Sequence, residues 1–194
     1  MASIAPNPGK DTYLSSASAT SNYGSQATFD LGYYSKGTDN YRVLLEFDIT
    51  AIPAGSTIDS ATLDLYCSQA TGTADACSGY RITRTNWVEL EATWNKFSTA
   101  GGNWTTAGGD YDATTPTPFT FTLPTTTGAK SYSCTAFVQD ALDNRSGIVE
   151  ILLRKNTESA GGYVLYHSDE GTTKPVLTVN YTTAVARRRI AVFV

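Results

Sequence analysis

The feature of the sequence that most constrains its fold is an alternation of apolar and polar residues with a period of two. The alternation runs through residues 43–49, 61–67, 119–123 and 177–181. Successive side chains of a β-strand point to opposite faces, so each run predicts a strand with one buried face. The chain is therefore predicted to be all-β and built from half-buried antiparallel strands.

Turn signals such as Gly161-Gly162 separate these runs, and together they delimit about ten strands. One segment, 135–143, instead pairs apolar residues at i,i+4 spacing and predicts a short helix with Thr135 as its N-cap. Many short strands with regular turns predict a jelly-roll-type antiparallel β-sandwich, with this helix closing one end. The strands are predicted near residues 11–14, 26–33, 41–49, 58–67, 79–85, 118–123, 129–134, 147–154, 162–167 and 175–181.

Length and charge narrow the function classes. The 194 residues fit one domain, and charged residues make up 16% of them, against about a quarter in average soluble domains. Such a weakly charged polar surface is typical of extracellular and virion β-proteins. The net charge of −4 provides no basic stripe for nucleic acid, and no apolar run reaches transmembrane length. We therefore predict neither nucleic acid nor a membrane as a partner.

The three cysteines are an odd number, so at least one thiol has no partner within the chain. A disulfide bond between Cys67 and Cys77 could close a hairpin loop. Alternatively, Cys67 continues the inward face of a predicted strand as a small buried apolar residue. Both alternatives stay open from the sequence.

No constellation of catalytic residues is apparent, so we predict no enzyme, no cofactor and no metal site. His167 is the only histidine and lacks the neighbours of a triad or zinc site, which favours a hydrogen-bonded structural role. Asp110 and Asp112 could offer oxygens to calcium, or could bond nearby backbone N–H groups in a turn.

Aromatic residues are abundant, with twelve Tyr and three Trp. Exposed rings could stack on sugars, and the alternative is ordinary packing in a core or an interface. The Gly- and Thr-rich segment 95–117 is predicted to be a long structureless loop, a kind of segment that is often functional. The candidates for glycan stacking are Tyr33, Tyr34, Tyr66, Trp104, Tyr111, Tyr163 and Tyr166.

An ordered series of short motifs over residues 11–181 resembles the DNRLRE-type domain. The motifs include Asn22-Tyr-Gly24, Ile52-Pro53, Arg84-Thr-Asn-Trp87, Glu91-Ala-Thr-Trp-Asn95 and His167-Ser-Asp-Glu170. The resemblance implies a non-catalytic jelly-roll module, of which some bind polysaccharide on secreted bacterial proteins and others occur in phage virions. It also implies that Trp87 and Trp94 pack in the core. Internal ion pairs or hydrogen bonds are expected for Arg42, Glu46, Asp48, Arg84 and Glu170.

Residues 182–194 form a basic, then apolar, C-terminal tail. An apolar β-prone end can add as a strand to an open sheet edge of a neighbouring subunit, while arginines anchor it on an acidic surface. The alternatives are a last strand of the chain's own sandwich, or a disordered end. The predicted partner-binding residues are Arg187, Arg188, Arg189, Ile190, Val192, Phe193 and Val194.

These features predict a structural protein of a phage virion, namely a capsid decoration or cement protein at the virion surface. It would bind the major capsid protein and form a homo-oligomer. The sequence start lacks the charged and apolar regions of a secretory signal, so either a signal was removed or the protein assembles after synthesis in a cytoplasm. The alternative function is a carbohydrate-binding module of a secreted bacterial protein, with polysaccharide as its partner.

Overall fold

The structure is a computed structural model that describes residues 1–34 and 36–184. Those residues form fourteen strands and one helix. The elements are β1 (Ala2–Ile4), β2 (Lys10–Ser15), β3 (Thr28–Tyr34), β4 (Asp39–Asp48), β5 (Thr57–Ala70), β6 (Ala76–Ile82), β7 (Lys96–Ser98), β8 (Gly102–Asn103), β9 (Tyr111–Asp112), β10 (Phe119–Thr122), β11 (Gly128–Ser133), α1 (Thr135–Asn144), β12 (Ile148–Lys155), β13 (Tyr163–His167) and β14 (Val176–Thr182).

The strands form two packed layers with antiparallel pairing throughout. Strand β4 pairs with β2 and β12 in one layer, while β5 pairs with β11 and β14 in the other. Strands β3 and β13 connect the two layers, because β3 pairs with β4 and β13 pairs with both β3 and β5. Alternate residues of β4 and β5, such as Val43, Leu45, Leu63 and Leu65, meet in one buried core. The predicted all-β antiparallel sandwich is confirmed.

Helix α1 closes one end of the sandwich, as its i,i+4 pattern predicts. Phe137, Val138, Ala141 and Leu142 are buried against the main core. The predicted N-cap is wrong, because the helix is preceded by Cys134 and Thr135 is its first residue. The Thr135 hydroxyl accepts a hydrogen bond from the Ala61 backbone N–H at 3.0 Å instead, which ties the helix to β5.

All ten predicted strands are present, with ends that differ by a few residues. The four additional strands, β1, β7, β8 and β9, have only two or three residues each. So few residues cannot display an alternation, because a period of two needs about four residues to be recognised.

Residues 83–110, which we call the cover, pack on the outer face of the layer that contains β4. The cover contributes Trp87, Phe97 and Trp104 to a second buried cluster, which also holds Leu44 of β4 and Leu152 of β12. The prediction that 95–117 is structureless is therefore wrong. The aromatic rings of this segment, Phe97 and Trp104, cover the outer face of the sheet. Strands β7 and β8 form a small hairpin within the segment.

The three cysteines are free and buried. Cys67 and Cys77 both lie in the main core, so the interpretation of Cys67 as a small apolar core residue is confirmed. Trp87 is buried as predicted, and Trp94 packs at the rim of the second cluster.

Three of the five charged residues expected to be paired form ion pairs. Arg42 pairs with Glu158, Glu46 with Lys10, and Arg84 with Asp110. Asp48 is exposed and accepts a hydrogen bond from the Thr50 backbone N–H at 2.7 Å. For Glu170, the described residues provide no ion pair or hydrogen bond, because its side chain is exposed and lies beside two other carboxylates.

Candidate functional site

Five half-buried tyrosines touch one another in a continuous line, which we call the tyrosine row. The row consists of Tyr34, Tyr163, Tyr41, Tyr13 and Tyr23. Neighbouring ring centroids lie 5.5, 5.7, 6.0 and 4.2 Å apart in that order. The row begins on β3 and β13, crosses β4, and ends on β2 and the loop that follows it. Pairing of β3, β4 and β2 therefore assembles it from distant parts of the chain.

A groove of about 260 Å³ lies at the β13 end of the row. Tyr33, Tyr34 and Tyr163 line it together with Lys36. The backbone beneath it is close-packed, because Gly32 has a φ of +125° and a Cβ there would collide with the Gly162 carbonyl oxygen. Only glycine adopts that conformation at no steric cost. The Tyr33 N–H also donates to this carbonyl at 2.9 Å, which fixes the floor of the groove.

Two carboxylates lie beside the middle of the row. Asp39 is buried and accepts hydrogen bonds from the Ser15 hydroxyl at 2.6 Å and the Ser16 hydroxyl at 2.8 Å. Burial, and then the charge of Asp39, raises the pKa of Asp30 to about 6. Burial together with these acids also raises the pKa values of Tyr13 and Tyr41. The row consequently presents neutral phenols and carboxylate oxygens, which donate and accept hydrogen bonds respectively.

The predicted stacking residues fall into three places. Tyr33, Tyr34 and Tyr163 come together in the groove. Tyr66 lies on β5, next to β13, where its ring stacks on that of His167 with centroids 4.9 Å apart. Tyr111 belongs to a separate groove, lined mostly by residues of the cover, and contacts Tyr80 and Arg154.

The prediction of glycan stacking is wrong for two of the seven residues, because both are buried. Tyr166 is 0% exposed in the main core, where its hydroxyl lies 2.7 Å from that of Tyr132. Trp104 is 5% exposed, and its Nε1–H donates to the Thr93 carbonyl at 2.8 Å. Neither ring has an accessible face for a sugar. Both supply buried apolar area to the two cores.

Sequence reasoning missed Tyr13, Tyr23 and Tyr41 as members of the row. Tyr13 lies on β2 and Tyr41 on β4. The two residues approach each other only because these strands pair, with Tyr41 opposite Ser15. A weak signal was available, since tyrosine stands where a strongly apolar residue would continue the inward pattern of each strand.

The groove at Tyr111 is larger, about 560 Å³, but Asp110, the carboxylate that lines it, already has partners. Asp110 accepts hydrogen bonds from the Thr105 and Thr106 N–H groups, each at 2.9 Å. Hydrogen bonds from Thr114 lower the pKa of Asp112. The backbone-bonded turn, one of the two alternatives for Asp110 and Asp112, describes their geometry.

Three carboxylates converge at another point, where β2 meets the cover. Oxygens of Asp11, Glu89 and Glu170 lie within 4.8 Å of one another. Glu89 accepts from the Asp11 N–H at 2.7 Å, and Asp11 accepts from the Asp169 N–H at 2.7 Å. Burial raises the pKa of Asp11 to about 7. Such a cluster could share a proton or hold a cation.

His167 has a structural environment. Besides its stack on Tyr66, its Nδ1 lies 3.4 Å from the Thr172 hydroxyl. Within residues 1–34 and 36–184, the one cluster of metal-ligating side chains is that of Asp11, Glu89 and Glu170, and His167 is not part of it.

Fold and surface together define a β-sandwich module with an open groove lined by tyrosines. The chain belongs to carbohydrate-binding module family 96, whose family model matches residues 3–181. No curated protein shows significant similarity to the chain. The family supports the predicted jelly-roll binding module, and a carbohydrate-binding module is a non-catalytic class of module. The DNRLRE-type resemblance itself stays a prediction.

Two predictions concern other parts of the chain. Among the described residues, no helix is long and apolar enough to cross a membrane. The partner-binding tail residues, Arg187 to Val194, lie outside the described residues.

The family match favours the carbohydrate-binding alternative over the capsid decoration function.

Proposed function

We propose that this chain is an extracellular or surface-associated polysaccharide-binding module, and that the tyrosine row with its groove is the binding site. The observation that carries the proposal is the line of five half-buried tyrosines in mutual contact, which leads to an open groove. Membership of a carbohydrate-binding family supports the ligand class.

The chemistry of the row suits sugars. A pyranose has an apolar face of C–H groups, which packs on the face of an aromatic ring, and a rim of hydroxyls that need hydrogen-bond partners. Tyrosine supplies an apolar body and a polar tip in one side chain. At the row, the Asp30 carboxylate and the Lys36 ammonium add an acceptor and a donor for these hydroxyls.

The row is also preorganised for binding. Each ring is half-buried and held by its neighbour, so a ligand does not have to immobilise freely rotating side chains. Hydrogen bonds between Tyr163 and Thr71 fix the backbone at the groove, with the Tyr163 N–H donating to the Thr71 hydroxyl at 3.0 Å.

Other surfaces fit the function less well. The outer face of the β4 layer is filled by the apolar side chains of the cover. In the Tyr111 groove, Arg84 is paired with Asp110, and that carboxylate is saturated by backbone donors. A sugar there would have to compete with bonds already made.

The role as a capsid decoration protein remains a separate prediction, as do the capsid partner and the homo-oligomer. That prediction is based on the low content of charged residues and on the C-terminal tail. Deleting residues 185–194 and measuring incorporation into particles would test it. Unchanged occupancy would contradict it.

Affinity gel electrophoresis tests the proposed function. The protein is run through gels that contain single neutral or acidic polysaccharides, alginate included, with a non-binding protein as reference. We expect retardation by at least one polysaccharide, and loss of that retardation in Tyr34→Ala. Unretarded migration in every gel would contradict the proposal.

A further inference from the structure

Strand β13 carries an outward-facing stripe of side chains that begins at Tyr163, a member of the tyrosine row. Tyr163, Leu165 and His167 are half-buried at alternate positions, while Val164 and Tyr166 between them are buried in the main core. Because side chains alternate across a strand, the first three lie on one face. Tyr163 is therefore shared between the row, which crosses the strands, and a stripe that runs along one of them.

An aromatic platform stands at the far end of this stripe. The Tyr66 ring of β5 stacks on the His167 ring with centroids 4.9 Å apart and planes inclined by 23°. Tyr66 points away from the core, since Leu65 and Cys67 on either side of it are buried. Gly171 lets the following loop lie against His167, because a Cβ at this glycine would come within 2.9 Å of the histidine Cβ.

The distance between the two aromatic ends sets the size of a ligand that reaches both. Tyr163 and His167 are four residues apart on β13, which corresponds to about 13 Å in a strand. That separation exceeds one pyranose ring. Between them lie Leu165 and, directly opposite on β3, the Asp30 carboxylate, so the middle of the stripe offers an apolar contact and a hydrogen-bond acceptor.

We infer that the binding site is an extended one, in which an internal segment of a polysaccharide chain lies along β13 and stacks on both Tyr163 and the Tyr66–His167 platform. The inference rests on the proposed function and adds the ligand class, a chain of several linked sugars rather than a monosaccharide or a chain end. Affinity then grows with chain length until both platforms are occupied.

Isothermal titration with oligosaccharides of increasing length tests this inference. The oligosaccharides are prepared from a polysaccharide that retards the protein. We expect Tyr66→Ala to weaken binding of the long oligosaccharides about tenfold, the loss expected when one stacked ring is removed. Binding of the shortest oligosaccharides, which reach one platform only, should be unchanged. His167→Ala should act in the same direction without changing Tyr66 itself, and far-UV circular dichroism verifies that both variants fold.

The outcomes separate this inference from the proposed function. If Tyr163→Ala loses binding while Tyr66→Ala and His167→Ala bind every length as the wild type does, the extended site is wrong and the module still binds sugar at the row. If affinity does not rise with chain length, the extended site is also wrong. If Tyr163→Ala binds normally, the proposed site itself fails.

Discussion

The guanidinium of Arg42 donates from Nε and Nη2 to the two carboxylate oxygens of Glu158, each at 2.8 Å. These side chains are only 9% and 13% exposed. Arg42 also donates from Nη1 to the Gly108 carbonyl at 2.9 Å, and Arg154 donates to Glu158 at 2.7 Å. The carboxylate thus joins β4 and β12, and through Arg42 it holds the cover against the sheet.

Glu158→Gln is expected to destabilise the protein strongly. It leaves two mostly buried guanidinium groups without a counter-charge, and breaking a buried pair from one side costs about 3–5 kcal/mol. Urea unfolding measures the change. The control is Lys174→Met, which removes an ion pair with Asp169 whose side chains are 49% and 33% exposed and should cost less than about 1 kcal/mol. Equal unfolding midpoints for both variants would show that the Glu158 network does not hold the cover.

Trp104→Ala is expected to lower stability while leaving sugar binding by the folded protein unchanged. The indole is buried against Phe97 with ring centroids 5.7 Å apart, and emptying such a site costs about 3–5 kcal/mol. Urea unfolding and affinity electrophoresis measure the two properties. Tyr34→Ala provides the contrast, with a smaller loss of stability and a loss of retardation. If Trp104→Ala has normal stability but is no longer retarded, the ring contacts sugar and its assignment to the core is wrong.

The buried Asp11 predicts a pH dependence of stability. Burial is the main reason that its pKa rises from 3.8 to about 7. The hydrogen bond from the Asp169 N–H lowers this pKa, and the negative charge of Glu170 raises it further. Between about pH 4 and 7, the folded protein keeps a proton that the unfolded chain has released. The free energy of unfolding therefore falls as the pH rises through this window. Asp11→Asn retains an acceptor for Asp169 and removes this contribution.

We expect Asp11→Asn to exceed the wild type in thermal stability at pH 8 and to match it near pH 4, as measured by thermal unfolding at pH 4, 6 and 8. Asp48→Asn is the matched control. Hydrogen bonds from Thr50 lower the pKa of Asp48, so its contribution is present at high pH and is lost as the pH falls through the lowered folded-state pKa. An Asp11→Asn difference from the wild type that does not vary with pH would refute the role of Asp11.

Titration with a thiol reagent tests the state of the cysteines. Burial raises the pKa values of Cys77 and Cys134 to about 12, and all three side chains are at most 2% exposed. Since the thiolate is the reactive form, the native protein should react slowly. In denaturant without reductant, three thiols per chain should react. One reactive thiol would instead indicate a bridge.

The strands could be predicted because each carries its own signal. Val43 to Ile49 and Ala61 to Cys67 alternate, with Leu44 as the one aliphatic residue at an outward position, and the structure buries the predicted face of both runs. Strand β13 illustrates the limit. Its residues 163–166 are all apolar or aromatic, on both faces of the strand. No sequence pattern therefore predicts that Tyr166 faces the core and Tyr163 does not.

The remaining features depend on contacts between distant segments. Trp104 lies in a stretch without periodicity, and its burial follows from the packing of the cover on Leu44 and Leu152. Likewise, Tyr13 and Tyr41 become neighbours only when β2 pairs with β4. Local alternation contains no information on either contact, so the second core and most of the tyrosine row were beyond a prediction from the sequence.

The central claim is that the tyrosine row binds sugar, and a comparison of two tyrosine-to-alanine variants by titration calorimetry tests it most directly. Tyr163→Ala removes the ring that contacts both Tyr34 and Tyr41, while Tyr111→Ala removes a half-buried ring from the other groove. For a polysaccharide that retards the wild type, we predict at least about a tenfold loss of affinity in Tyr163→Ala and wild-type affinity in Tyr111→Ala. Wild-type affinity in Tyr163→Ala, or a loss confined to Tyr111→Ala, would contradict the account.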